Sequence, residues 1–106
     1  MPEETTRKNI WIIRPPASHF VKHFKSHPQH TEYIPEFETD ITKDPYHHLK
    51  PGKITKIERE IDRYPIGTYR WKKSDLRIIY FPQKEDHTIY PLDAATASSV
   101  RYKKRS

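Results

Sequence analysis

Cysteine is absent from this 106-residue chain, which excludes disulfide cross-links, a thiolate nucleophile and a cysteine-based zinc site. Apolar residues are scarce as well. They make up 33% of the chain, against roughly 45–50% for an average globular domain on a slightly wider count. The core is therefore expected to be thin and to lean on large side chains, with Trp11, Phe20, Phe24, Phe37, Trp71, Tyr80 and Phe81 as its candidates. No run approaches the roughly 20 apolar residues that span a bilayer. The opening Met1-Pro2-Glu3-Glu4 lacks the basic-then-apolar order of a secretory signal. A chain of this size supports one modest core, so the expectation is a single cytoplasmic domain with no membrane contact.

What the chain has in excess is positive charge: a net +6 and a pI near 9.6. Its distribution is uneven. Residues 1–66 hold eleven Lys or Arg against ten Asp or Glu, a balance of +1, whereas residues 67–106 hold nine against four, a balance of +5. Glu32, Glu36, Glu38, Asp40 and Asp44 make the middle of the chain acidic. A polyanionic partner is therefore expected to meet the C-terminal third and to be repelled from the middle.

Met1 to Lys8 is polar, charged and expected to be a flexible N-terminus. The folded domain is placed at 9–102, with 103–106 as a basic tail. Asn9 to Arg14 is a β-branched and aromatic run of strand length, stopped by Pro15-Pro16. Ala17, Phe20, Val21 and Phe24 recur at helical spacing as an inward stripe, with Pro16 in the first turn and Pro28 closing the helix. A second helix is expected over about 31–43, with Ile34, Phe37 and Ile41 inward, Pro35 in its first turn and Pro45 as its stop. In 46–66 the period of Ile54, Ile57 and Ile61 does not separate helix from strand, and an irregular or weakly helical connection is favoured. Strands follow on both sides of Ser74-Asp75. Pro82 to Asp86 then reads as a turn and Thr88 to Leu92 as a last strand, with Pro91 at a strand end or sheet edge. This order gives an α+β domain: a small, mostly antiparallel sheet with two N-terminal helices packed on one face.

The most informative stretch is Gly67 to Tyr102. In Tyr69-Arg70-Trp71-Lys72-Lys73 a period of two puts Tyr69 and Trp71 on one side and Arg70 and Lys72 on the other. A hairpin at Ser74-Asp75 returns Arg77 of Leu76-Arg77-Ile78-Ile79-Tyr80-Phe81 to the neighbourhood of Lys72. The result is a greasy face that belongs to the core and a cationic face suited to phosphate. The bland alternative is a solvated strand surface that blocks aggregation.

The run Tyr69 to Tyr80 resembles the RelE/ParE superfamily of bacterial and archaeal type II toxins. The likeness lies in its aromatic, basic, apolar, basic order, then a short turn, then an arginine followed by two aliphatics and a tyrosine. With the flanking helices the resemblance covers most of 9–102. It implies a toxin held inactive by a cognate antitoxin protein. In the family's ribosome-dependent branch it implies an endonuclease that cuts messenger RNA on the ribosome, with no metal or other cofactor, by attack of the 2′-hydroxyl on the neighbouring phosphate. Residue by residue, the resemblance makes Arg77 the phosphate clamp, Arg70 and Lys72 the neutralising cations and Tyr102 the terminal tyrosine. Lys73, Arg101, Lys103, Lys104 and Arg105 become further RNA contacts. The family's basic residue after the last strand has no counterpart in Asp93 to Ser99, and Tyr102 follows Val100 only after Arg101. A gyrase-poisoning toxin or an inactive binding relative is the alternative.

Histidines give a second pattern. His19, His23 and His27 repeat every fourth residue along one helix flank, a spacing at which two imidazoles can share zinc. No carboxylate in that helix completes a site, so exposed flank histidines are the expectation, with no metal. His47, His48, His87, Glu58 and Glu60 are further acid or base candidates whose distance to Arg77 the sequence leaves open.

Overall fold

The computed structural model describes residues 10–46, 52–57, 64 and 66–97. The expected loose N-terminus, His47, His48, Glu58, Glu60, Tyr102 and the tail cations Arg101, Lys103, Lys104 and Arg105 lie outside these residues. Strand β1 is Ile12–Ile13, and helix α1 is Ser18–Ser26. A 3₁₀ turn over Pro28–Tyr33 runs directly into helix α2, Ile34–Lys43, with Pro35 in its first turn. Four strands complete the order: β2 Ile54–Lys56, β3 Tyr69–Lys73, β4 Leu76–Gln83 and β5 Thr88–Thr96. Among the described residues no helix is long and apolar enough to cross a membrane.

The strands form one sheet in the order β1-β5-β4-β3-β2, antiparallel throughout except for the parallel pair β1-β5. Both helices lie on one face. Against them the sheet turns Ile54, Tyr69, Trp71, Leu76, Ile78, Tyr80, Ile89 and Ala94, which form one core with Phe20, Phe24, Phe37 and Ile41. Aromatic rings tie the two layers: Phe37 meets Trp71 and Tyr80 edge-on at 5.4 and 5.8 Å. A mostly polar sequence thus builds its core from a few large residues, each of which removes much apolar area from water.

Three buried polar contacts pin the helical layer to the sheet. Trp71 Nε1 donates to Asp40 Oδ2 at 2.9 Å, and Lys53 Nζ reaches the same oxygen at 2.9 Å while also bonding Glu36. The Tyr80 hydroxyl donates to the Pro45 carbonyl at 2.5 Å, and its burial raises its pKa above the ordinary phenol value. Burial pulls the Lys53 ammonium down, but its bonds to Glu36 and Asp40 outweigh this and hold it above the usual lysine range. Glu36 is correspondingly held below the usual carboxylate range, chiefly by its hydrogen bond from Lys53.

Several local expectations are corrected. Ile54–Lys56 is a strand paired antiparallel with β3, Ile54 opposite Trp71, and not an irregular connection. Cross-strand burial against an indole decides what the isoleucine period alone left open. In α1 the residue buried beside Phe20 and Phe24 is His23, while Val21 is exposed. β4 continues through Pro82, which faces Ile89, and the turn begins only at Lys84. Pro91 is buried inside β5, between β1 and β4, and not at a strand end or sheet edge. Its nitrogen faces β1 beyond the end of that two-residue strand, where no ladder bond calls for an N–H, and a register shift between Ile79 and Tyr80 lies on its β4 side. β5 also runs on to Thr96 instead of ending near Leu92.

Candidate nucleic-acid interface

The face of the sheet turned away from the helices carries the predicted cations. In the β3–β4 hairpin Lys72 lies directly opposite Arg77, and the next residue on that side of β3, Arg70, lies opposite Ile79. Across β4 the row continues from Arg77 to Ala95, and the next row from Ile79 to Asp93. The register therefore places Arg70, Lys72 and Arg77 on one surface in two adjacent rows, which are about 7 Å apart along the strand.

Each cation is oriented differently. Arg77 Nη1 donates to the carbonyls of Ser74 and Leu76 at 2.8 and 3.0 Å, so its guanidinium is held against the hairpin turn, with Nη2 and Nε directed elsewhere. Arg70 Nη2 leans toward β2 and donates to Thr55 Oγ1 at 3.2 Å. Lys72 is exposed. Lys73 lies on the opposite, helix-facing side, where its ammonium sits 3.4 Å from Glu36. The structure thus brings together three of the predicted residues and places Lys73 apart from them.

Part of the same face is covered. Tyr64 packs against Ile79 and Ile57 and donates its hydroxyl to Asp93. Phe81 rises beside Gly67, whose φ of +103° suits glycine and where a Cβ would meet the ring at 3.1 Å. An apolar ridge thus borders the cations on one side, and the hairpin turn borders them on the other. A fixed guanidinium beside a flexible ammonium can grip two oxygens of a phosphate and add charge to a developing phosphorane. His87 is remote from this chemistry: it sits in the β4–β5 turn at the other end of β4, stacked on Trp11 at 4.5 Å.

The sequence reading missed a histidine chain behind the turn. His23 Nε2 lies 2.9 Å from His30 Nδ1, and His30 Nε2 lies 3.0 Å from Asp75 Oδ1. Both imidazoles are buried, whereas Asp75 is 63% exposed in the β3–β4 turn. His27 stacks on His23 with ring centres 4.4 Å apart. Burial, followed by the proximity of His27 and His30, lowers the His23 pKa to about 4. The hydrogen bond from His30 holds Asp75 below the usual carboxylate range. The three rings are nearly parallel, with interplanar angles of 9–17°, whereas a metal needs lone pairs converging on one point. Among the described residues no cluster of three or more His, Asp or Glu is arranged for a metal ion. His19, the fourth member of the helical pattern, is exposed.

No protein-family model and no curated protein matches the sequence. Solved structures do. A chain of the RelBE2 toxin–antitoxin complex of Mycobacterium tuberculosis superposes with a TM-score of 0.62 at 17% identity, covering 82% of this chain and 98% of that one. A chain of the archaeal RelE–RelB complex of Pyrococcus horikoshii OT3 gives 0.64 at 21% identity, covering 86% and 99%. With two helices on one face of a five-stranded mixed sheet and a cationic hairpin on the other, this chain has the fold of the RelE toxins.

Proposed function

We propose that the protein is the toxin of a type II toxin–antitoxin system and acts as a RelE-like, ribosome-dependent mRNA endonuclease. The observation that carries this reading is the direct cross-strand pairing of Lys72 with Arg77, with Arg70 one row away, on the open face of a RelE fold. Like charges placed opposite each other in a sheet cost stability unless an anion neutralises them. In the proposed reaction the 2′-oxygen attacks the adjacent phosphorus, the P–O5′ bond breaks, and a 2′,3′-cyclic phosphate and a 5′-hydroxyl end result. Arg77 clamps the phosphate, and Arg70 and Lys72 balance its growing charge. Lys73, Arg101, Lys103, Lys104 and Arg105 are proposed to extend the RNA contact, with Tyr102 beside the reacting phosphate. The solved complexes in which this fold occurs support a cognate antitoxin as the protein partner.

Tightly controlled expression followed by mapping of RNA ends on translating ribosomes tests the proposal. The expected outcome is growth arrest with cuts inside codons, reduced about a hundredfold or more by Arg77→Ala. A second reading, as a gyrase-directed toxin or an inactive binding relative, draws on the absence of any basic residue in Asp93 to Ser99 and on the carboxylate of Asp93 on the same face. Arrest with intact transcripts and damaged DNA would favour the gyrase target, and no arrest the binding relative.

A further inference from the structure

The β3–β4 turn is gripped from three sides. Arg77 holds the Ser74 and Leu76 carbonyls from the open face. Ala97 N–H holds the Asp75 carbonyl at 2.7 Å from the end of β5. The Asp75 side chain is held from the helical layer by His30, itself bonded to His23. Ser74 has a φ of +56°, a left-handed conformation disfavoured for a side-chain-bearing residue, so the turn draws on these grips to keep its shape. We infer that Asp75, His30 and His23 form a proton-linked clamp that positions Arg77 for its phosphate, so that acid loosens the cationic site even as it adds positive charge to the protein.

Hydrogen-bond direction follows from the chemistry. The Asp75 carboxylate only accepts, so His30 Nε2 carries a proton. A neutral His30 then accepts at Nδ1 from the Nε2–H of His23. One added proton is accommodated: His30 becomes cationic between Asp75 and the other tautomer of His23. A second proton sets N–H against N–H across 2.9 Å, with the His27 ring stacked on the pair. The charged and titratable groups around His23 are His27 on α1, His30 on the 3₁₀ turn, Asp75 on the hairpin and Asp93 on β5. At His23, burial first and then the neighbouring imidazoles of His27 and His30 oppose a proton, and the two carboxylates only partly offset them. Two charged rings facing each other are driven apart, and as His30 is displaced from its place its bond to Asp75 goes with it, so the turn that carries Arg77 loses its attachment to the helices.

This inference rests on the RNA reading of the cationic face, and its sign separates it from plain electrostatics. Protonating histidines on a basic protein ordinarily tightens binding to a polyanion. Binding of a short fluorescent oligouridylate, whose bases take up no proton in this range, is therefore measured at constant ionic strength from pH 7.5 to 4.0, at values where circular dichroism shows a native spectrum. Wild type is compared with Asp75→Ala, Arg77→Ala and the double variant His23→Phe/His30→Phe. In the wild type we expect affinity to fall about twofold between pH 5 and pH 4, where His23 becomes half charged, and Asp75→Ala to show a loss of about fivefold already at pH 7.5, the scale of one lost hydrogen bond. The double variant keeps ring volume without titrating and should show the weaker affinity with no further fall. Affinity that holds steady or rises with acid in the wild type, or that is unchanged in Asp75→Ala while Arg77→Ala is weak, overturns the clamp and leaves the RNA reading standing. Unchanged binding by Arg77→Ala overturns both. Amide exchange at Leu76 and Arg77, expected to be faster in Asp75→Ala, then tells whether the turn was clamped at all.

Discussion

Lys72 and Arg77 occupy facing positions that a sheet selected for stability alone would fill with opposite charges. Lys72→Glu is expected to stabilise the fold by about 0.2–1 kcal/mol in denaturant titrations while abolishing RNA cleavage. An unchanged or lowered midpoint would show that the pair carries no local strain. Asp40 behaves oppositely. It is 7% exposed and receives both Trp71 Nε1 and Lys53 Nζ, so Asp40→Ala should cost about 1–3 kcal/mol by leaving the buried indole N–H without its acceptor and Lys53 with Glu36 alone. These two sites differ in legibility. The alternation of Arg70, Lys72 and Arg77 was visible in the sequence because strand period is a local property. The partners of Asp40 were not, because Lys53 and Trp71 lie far along the chain and no local pattern announces them.

Among the elements, the junction of α1 with the 3₁₀ turn is the most sensitive to acid. Burial, and then the neighbouring rings of His27 and His30, pull the His23 pKa from the ordinary histidine value of 6.5 down to about 4. The unfolded chain therefore takes up this proton first, and stability is complete above pH 6.5 and declines as pH falls toward 4. The loss is at most about 3 kcal/mol, from about 1.4 kcal/mol per pKa unit. Glu36 and Asp75, both held below their ordinary values, act in the same direction at still lower pH. Urea midpoints at pH 7 and 4.5 should differ accordingly, and the gap should shrink in His23→Phe. Helical spacing revealed that His19, His23 and His27 share a flank, but not that His23 turns inward to meet His30 seven residues on and, through it, Asp75. The order of most elements was readable from hydrophobic runs and proline stops. The strand at Ile54–Lys56 and the prolines within β4 and β5 were not, since pairing across the sheet and a register shift decide them.

For the molecule as a whole, the helices cover one side of the sheet, and the acidic residues of α2 lie with them. Glu36 and Asp40 are engaged by Lys53, and Glu36 also by Lys73. The uneven charge of the sequence thus becomes a difference between two faces, although Lys73 shows that a basic residue in the right stretch can fall on the wrong side. If Arg70, Lys72 and Arg77 each neutralise one phosphate, the logarithm of RNA affinity should fall with the logarithm of salt concentration at a slope of roughly −2. A slope near zero in a salt titration would contradict phosphate binding at this face. The two-layer arrangement also depends on where the N-terminal strand stops. Ile12 and Arg14 donate to the His87 and Ile89 carbonyls of β5, and a parallel ladder would next require an N–H from position 91. Proline has none to give, and Pro16, the next donor due from β1, has none either, so the N-terminal strand is stopped from both sides of the ladder. The departing segment is caught once more, where Ala17 N–H meets the Pro91 carbonyl at 3.0 Å, immediately before the chain turns into its first helix. An alanine at 91 would restore one donor and leave Pro16 still without its own, so prolines on both strands together decide where sheet ends and helical layer begins.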